Sequence, residues 1–373
     1  MTRLREALAK LGATSLALSL VTAVLAGGCG HVTRHGADHT PQATPSTRRA
    51  TRVTGNPVRS RRTTATTSSV PRALPVTTPG TPLEKPAALA PFTGSGPAGQ
   101  GRWRAAGRRV DGVPAVYETT LIPPGGSHLA GIAWMDTHLL AARLYSGSES
   151  PGGGPYRYTA PIQQASARHL VAAFNGGFKM HAAQGGYYTE RLMVDPLRRG
   201  AASLVIYADG SVNVGAWGSD VGMTPEVAAV RQNLVPLVAG GRPTPRAKSA
   251  DWQAWGSTCG ASSCAHSVPG IEHQWRSALG VTAEGALVYV QGPALDPLQL
   301  AALLVRTGVV RGMELDINPS WPVFATYDPA SEHGLATPSN GHLLTATVRR
   351  PDTFFDPSWA RDFVTMSARH SMH

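Results

Sequence analysis

Cysteine is scarce in this chain: three residues in 373, at Cys29, Cys259 and Cys264. So few exclude a disulfide-dense secreted scaffold. No Cys-x-x-Cys or His-x-x-x-His spacing lies beside His266 and His273, so a zinc ribbon lacks its ligand set. Charge is sparse as well, 15% of residues against roughly 25% in an average protein. Acidic residues are almost missing from the first 110 positions, which hold 3 Asp/Glu against 16 Lys/Arg, whereas residues 111–373 hold 20 against 18. The formal +11 therefore belongs to the N-terminal extension. A domain that reads nucleic acid carries its own basic face, so no nucleic-acid partner is expected. Only one long apolar run occurs, which excludes a multi-span membrane protein. Neither a Gly-X-Y nor a heptad period nor an internal repeat is present, and no Gly-x-Ser-x-Gly elbow marks a serine hydrolase.

The single apolar run opens the chain. Arg3, Arg5 and Lys10 precede residues 11–26, which carry no charge. That length lies between a secretory core of about 7–15 residues and a spanning helix of about 20. Leu25-Ala26-Gly27-Gly28-Cys29 then resembles a bacterial lipoprotein box, with Cys29 as the lipidated residue. Lipoprotein, uncleaved anchor and cleaved secretion remain open; all three place the rest of the chain outside a membrane. Export in turn makes a short-loop disulfide between Cys259 and Cys264 the expected state of that pair. Residues 30–100 are rich in Thr, Ser, Pro and Arg with few large apolar side chains. Such a segment cannot recover its ordering entropy through a core, so it reads as a disordered tether, with residues 101–373 as the folded domain.

Within that domain short strand-like runs recur at 115–121, 129–135, 139–145 and 169–174. Asp209-Gly210 and Glu284-Gly285 each sit between such runs, a hairpin signal. Two helices are expected. Residues 224–233 begin Thr-Pro-Glu. Residues 295–308 begin Asp296-Pro297, carry leucines on one side and end at Gly308, with a strand over 309–317 after them. Hairpins outnumber βαβ alternation, so the fold class is α+β: mixed, largely antiparallel sheets with a few packed helices.

Three segments carry candidate chemistry. An apolar strand runs into Asn175-Gly176-Gly177-Phe178-Lys179, where glycines allow positive φ or close backbone approach to a ligand. Arg276 opens a hairpin strand and offers a planar fork suited to phosphate. On a strand of period two, Glu314, Asp316 and Asn318 share one face and Met313, Leu315 and Ile317 the other. Two carboxylates so placed can stand about 5–9 Å apart, the range that glycosidases use. The same oxygens could hold Ca2+, although no cofactor is required. Trp252, Trp255 and Trp321 are candidate platforms for sugar stacking.

Taken in order, Asn175-Gly176-Gly177-Phe178, Gly240-Gly241-Arg242-Pro243, Arg276-Ser277-Ala278-Leu279-Gly280 and Glu314-Leu315-Asp316-Ile317-Asn318-Pro319-Ser320 resemble the phosphodiester glycosidase family. The resemblance spans about residues 110–350. It departs at Lys179, where the family has a second Phe, at Glu314, where it has Asn, and at Ile317-Asn318-Pro319, which replace three glycines. The resemblance implies an exported hydrolase that cleaves a glycosyl phosphodiester in a cell-envelope glycoconjugate. Asp316 would act at the anomeric carbon and Glu314 as second carboxylate. Arg276 with Lys179, Gly176 and Gly177 would hold the phosphate, and Asn175, Asn318 and Ser320 would orient substrate. The alternative is a silent wall-polysaccharide-binding module on the same fold.

Overall fold

The computed structural model describes residues 81–369 except 95, 153, 250, 251, 257–271, 332 and 333. Cys29, Cys259 and Cys264, with the lipidation and disulfide expected of them, lie outside the described residues. So does the apolar run at the start.

Three antiparallel sheets make up the described chain. The largest runs β1 (Arg104–Val110), β2 (Val113–Leu121), β3 (Ala130–Met135), β14 (Leu287–Leu295), β13 (Gln274–Thr282), β15 (Val309–Glu314), β11 (Val238–Ala239) and β12 (Arg242–Pro243). A second runs β17 (Gly341–Leu343), β16 (Phe324–Tyr327), β5 (Leu170–Asn175), β18 (Phe363–Ala368) and β4 (Leu140–Tyr145). The third runs β7 (Leu192–Asp195), β6 (Tyr187–Thr189), β10 (Val227–Gln232), β8 (Ala202–Tyr207) and β9 (Val212–Ala216). All three share one core, to which Leu279, Met313 and Leu315, then Phe174, Phe324 and Val364, then Leu204, Val214 and Ala229 contribute. Four helices accompany them: α1 (Gln164–Ala167), α2 (Met180–Ala183), α3 (Pro245–Lys248) and α4 (Pro297–Arg306). The architecture is mostly β with a few helices, in broad agreement with the expected α+β class.

Both predicted hairpins form, β8–β9 across Asp209-Gly210 and β13–β14 across Glu284-Gly285. So does the second predicted helix. The Asp296 carboxylate accepts from the Gln299 N–H at 2.7 Å, and the Gln299 side chain accepts from the Asp296 N–H at 3.1 Å. This capping box, with Pro297 in the first turn, satisfies donors that a helix start leaves orphaned. Leu300, Ala301, Leu303 and Leu304 then bury against the face of the large sheet opposite the shared core.

The predicted helix over 224–233 is instead a turn and strand β10. The Val227 N–H bonds back to the Thr224 carbonyl, closing a turn, and β10 pairs with β6 on one side and β8 on the other. Thr-Pro-Glu serves a turn as well as a helix cap. Val227 and Val230 fit a pleated, doubly covered strand better than a helix surface. Part of the stretch expected to be tether also packs on the domain. Leu83, Leu89 and Phe92 pack against the cluster under α4. The Leu83 N–H donates to the Asp136 carboxylate at 2.8 Å, and Trp103 Nε1 donates to the Ala87 carbonyl at 2.9 Å.

Candidate active site

β5 ends at Asn175, which is buried and uses its side chain as a structural splice. Its Oδ1 accepts from the Tyr289 hydroxyl at 2.6 Å and the Val323 N–H at 3.1 Å, while Nδ2 donates to Ser277 Oγ at 3.1 Å. Ser277 in turn donates to the Asp316 carbonyl at 3.2 Å and accepts from the Asp316 N–H at 3.1 Å. Three of the four sequence motifs thus meet at one place. The fourth, Gly240 to Pro243, forms an edge turn between β11 and β12.

The two glycines after Asn175 serve close packing rather than positive φ. A Cβ on Gly176 would lie 2.1 Å from Asp362 Oδ2, and one on Gly177 would lie 2.7 Å from Asn233 Oδ1. The Gly176 N–H, expected to face a phosphate, donates to the Asp362 carbonyl at 2.8 Å. Asp362 also forms a buried two-point pair with Arg231, at 2.8 and 3.2 Å. Arg231 spends its remaining donors on the Gln232 and Phe178 carbonyls. Asn233 closes the block, accepting from the Phe178 N–H and donating to the Glu314 and Leu315 carbonyls, each at 3.0 Å.

The two carboxylates take different partners. β15 ends at Glu314; Met313 and Leu315 face the shared core as expected, but Ile317 leaves it to join Phe178 and Trp255. Glu314 is wholly buried and pairs with Arg276 at 2.6 Å. Arg276 is also wholly buried, with its other donors on the carbonyls of Leu295, Trp255 and Glu272. Most of its fork is spent inside the protein, and neither it nor Glu314 lines the cleft that Asp316 reaches. Glu314 and Asp316 turn to different arginines. Among the described residues no cluster of His, Cys, Asp and Glu is suited to a metal.

Asp316 does reach a cleft. A cavity of about 370 Å³ is lined by Asp316, Asn318, Lys179, His181, Trp321 and Arg361, among others. Arg361 Nη2 donates to Asp316 Oδ2 at 2.5 Å and to the Gly177 carbonyl at 3.0 Å. Asp316 Oδ1 accepts from the Asn318 N–H at 3.0 Å. Burial pushes the Asp316 carboxyl up to about 6, against the pull of Arg361 and the Asn318 and Ile317 amides, with Asp362 adding upward. Glu314 is pushed up to about 7 by burial, against its partner Arg276.

Of the proposed substrate-binding residues, Lys179 and Asn318 line this cleft, while Asn175, Gly176, Gly177 and Ser320 stand behind it. Trp255 is buried, with Nε1 on the Arg246 carbonyl, and is not a sugar platform. Arg361 is the residue that sequence reading missed. It lies in no glycine-rich motif, 45 positions from Asp316. The one local hint is the pair Arg361-Asp362, an ion-pair former of each sign at the head of an apolar strand.

No protein-family model and no curated protein matches the chain. Solved structures do, at low similarity. One is the catalytic domain of zebrafish N-acetylglucosamine-1-phosphodiester alpha-N-acetylglucosaminidase, auto-inhibited by its pro-peptide. It has 16% identity over 72% of this chain and 88% of that one, with a TM-score of 0.41. Another is a hypothetical protein from Synechocystis, with 11% identity over 71% of this chain and 65% of that one and a TM-score of 0.38.

Proposed function

We propose that this protein is an exported hydrolase that cleaves a glycosyl phosphodiester of the cell envelope, with Asp316 and Arg361 as its working pair. The observation that carries this reading is the Asp316 carboxylate held by Arg361 in a cleft where Lys179 and His181 add nitrogen donors. Arg361 supplies the planar fork first assigned to Arg276, and with Lys179 it receives the phosphate oxygens. Asp316 takes a proton from water as the water oxygen attacks the anomeric carbon. The bond from that carbon to the phosphate oxygen breaks, and its electrons leave with the phosphomonoester. The free sugar and the phosphomonoester are the products, and the proton remains on Asp316. Phosphate departs readily as an anion, so the scheme needs no second carboxylate. Glu314 instead neutralises Arg276 beneath the site.

The test is release of reducing sugar from a panel of sugar-1-phosphate diesters by the purified protein. Asp316→Asn should cost about a hundred- to ten-thousandfold in turnover, and Arg361→Gln about a hundred- to a thousandfold, with melting still cooperative. Wild-type rates in Asp316→Asn sink the assignment. If no diester is cleaved while envelope glycan still binds, the binding-module account takes its place.

A further inference from the structure

The loop after Asp316 carries Ile317-Asn318-Pro319 where the resembled family has glycines, and it carries an arginine clamp as well. Hydrogen bonds fix Arg361 at one end only: Nη2 bonds to Asp316 and Gly177, while Nε is buried with no partner among the described residues. The Trp321 ring makes up the difference, its centroid 4.9 Å from the Arg361 guanidinium. The loop is shaped to place that ring. Asn318 accepts the Ser320 N–H on its side chain at 3.0 Å and the Trp321 N–H on its carbonyl at 2.8 Å.

Arg349 then ties the loop down from outside the cleft. Its guanidinium lies 4.9 Å from the Trp321 centroid and 5.0 Å from that of Trp359. Its Nε donates to the Ser320 carbonyl at 2.5 Å, and its own N–H bonds to Thr347 Oγ1 at 3.0 Å. Trp359 packs edge-on against Trp321 at 5.3 Å and lies two residues before Arg361. Cations against indole rings attract by the ring quadrupole, more strongly when partly desolvated. Arg349 is therefore bonded to both supports of Arg361, the Trp321 loop and the Trp359 segment, without lining the cleft.

We infer that Arg349, acting through Trp321 and Trp359, is a positioning residue that holds the Arg361 guanidinium on Asp316 and so sets the affinity of the cleft for a substrate anion. This rests on the reading of Arg361 as the anion-binding group. Trp321 then works as part of the clamp and not as a free face for sugar. The bulky loop offsets lost backbone freedom with a fixed guanidinium, so less ordering is left to substrate binding.

The experiment follows the Asp316 carboxyl by carbon-13 NMR titration in the full chain, alongside steady-state kinetics on the best diester. The charged groups that act on Asp316 are Arg361, which holds its titration down, and Asp362, which raises it; Lys179 and His181 line the same cleft, and Glu314 feels Asp316 in turn. Arg349→Gln should move the Asp316 titration upward, in the direction produced by Arg361→Gln, because Arg361 is released. KM should rise about three- to tenfold with kcat within about twofold, and Arg349→Lys should recover part of both. Trp321→Phe, which keeps a ring but a weaker cation platform, should fall between wild type and Trp321→Leu, and Trp321→Leu should follow Arg349→Gln and replace it if that variant fails to fold. An unmoved Asp316 titration in a folded Arg349→Gln or Trp321→Leu overturns the clamp. Absence of turnover in the wild type defeats the glycosidase reading but leaves the titration to decide the clamp.

Discussion

At the scale of single residues, two buried carboxylates with the same direction of shift sit in different surroundings. Asp316 opens on the cleft, so its ionised form is the one that can accept a proton. Its raised value of about 6 places the loss of that base just below neutrality. We expect kcat/KM to rise with unit slope as pH climbs through about 6 and to level off above it. A rate that falls over that range would make Asp316 an acid rather than a base. Glu314 is ion-paired with Arg276, and removing one partner of such a pair strands the other charge. Glu314→Gln should lower stability by about 3–5 kcal/mol, read by chemical denaturation. The double change Arg276→Met with Glu314→Leu should cost much less, since no charge is left unpaired.

At the scale of elements, the junction between β5 and α2 is held by shape. Residues 175–178 thread between Asp362, Arg231 and Asn233, and a side chain on Gly176 has no room beside the Asp362 carboxylate. Gly176→Ala should push Asp362 off Arg231 and carry the adjoining Arg361 with it. The expected outcome is a large loss of kcat/KM together with a lowered melting temperature. An alanine variant with wild-type kinetics would show that this junction does not govern the site. Strand β10 meets the same block: it brings Arg231 to Asp362, a partner 131 positions away.

At the scale of the whole molecule, residues 83–92, which the sequence places in the tether, pack on the folded part. Leu83, Leu89 and Phe92 cover apolar surface beneath α4, and Arg306 lies 4.1 Å from the Phe92 ring centroid while donating to the Ala90 carbonyl. Cutting the chain before residue 101 removes this strap. We expect residues 101–373 to melt about 2–4 kcal/mol less stable than residues 81–373, from the apolar area uncovered less the ordering of a short segment. Equal melting curves would show the strap to be dispensable.

What the sequence determined by itself is whatever depends on neighbours along the chain. The two hairpins follow from Asp-Gly and Glu-Gly between apolar runs, and α4 from an Asp-Pro-x-Gln cap ahead of its leucines. The Asn-Gly-Gly, Arg-Ser-Ala and Leu-Asp segments were legible as places where polar residues interrupt apolar strands. Their convergence at Ser277 agrees with that. The tertiary structure alone decided which of their side chains face a cleft. A strand's alternation says which residues share a face only while the strand lasts, and β15 stops at Glu314. Which arginine meets which carboxylate is a long-range matter: burial makes an unpaired charge costly, so three buried arginines take the carboxylates that the packed sheets bring near. That condition drew Arg276 inward to Glu314, Arg231 to Asp362, and Arg361 to Asp316, and no local spacing encodes it.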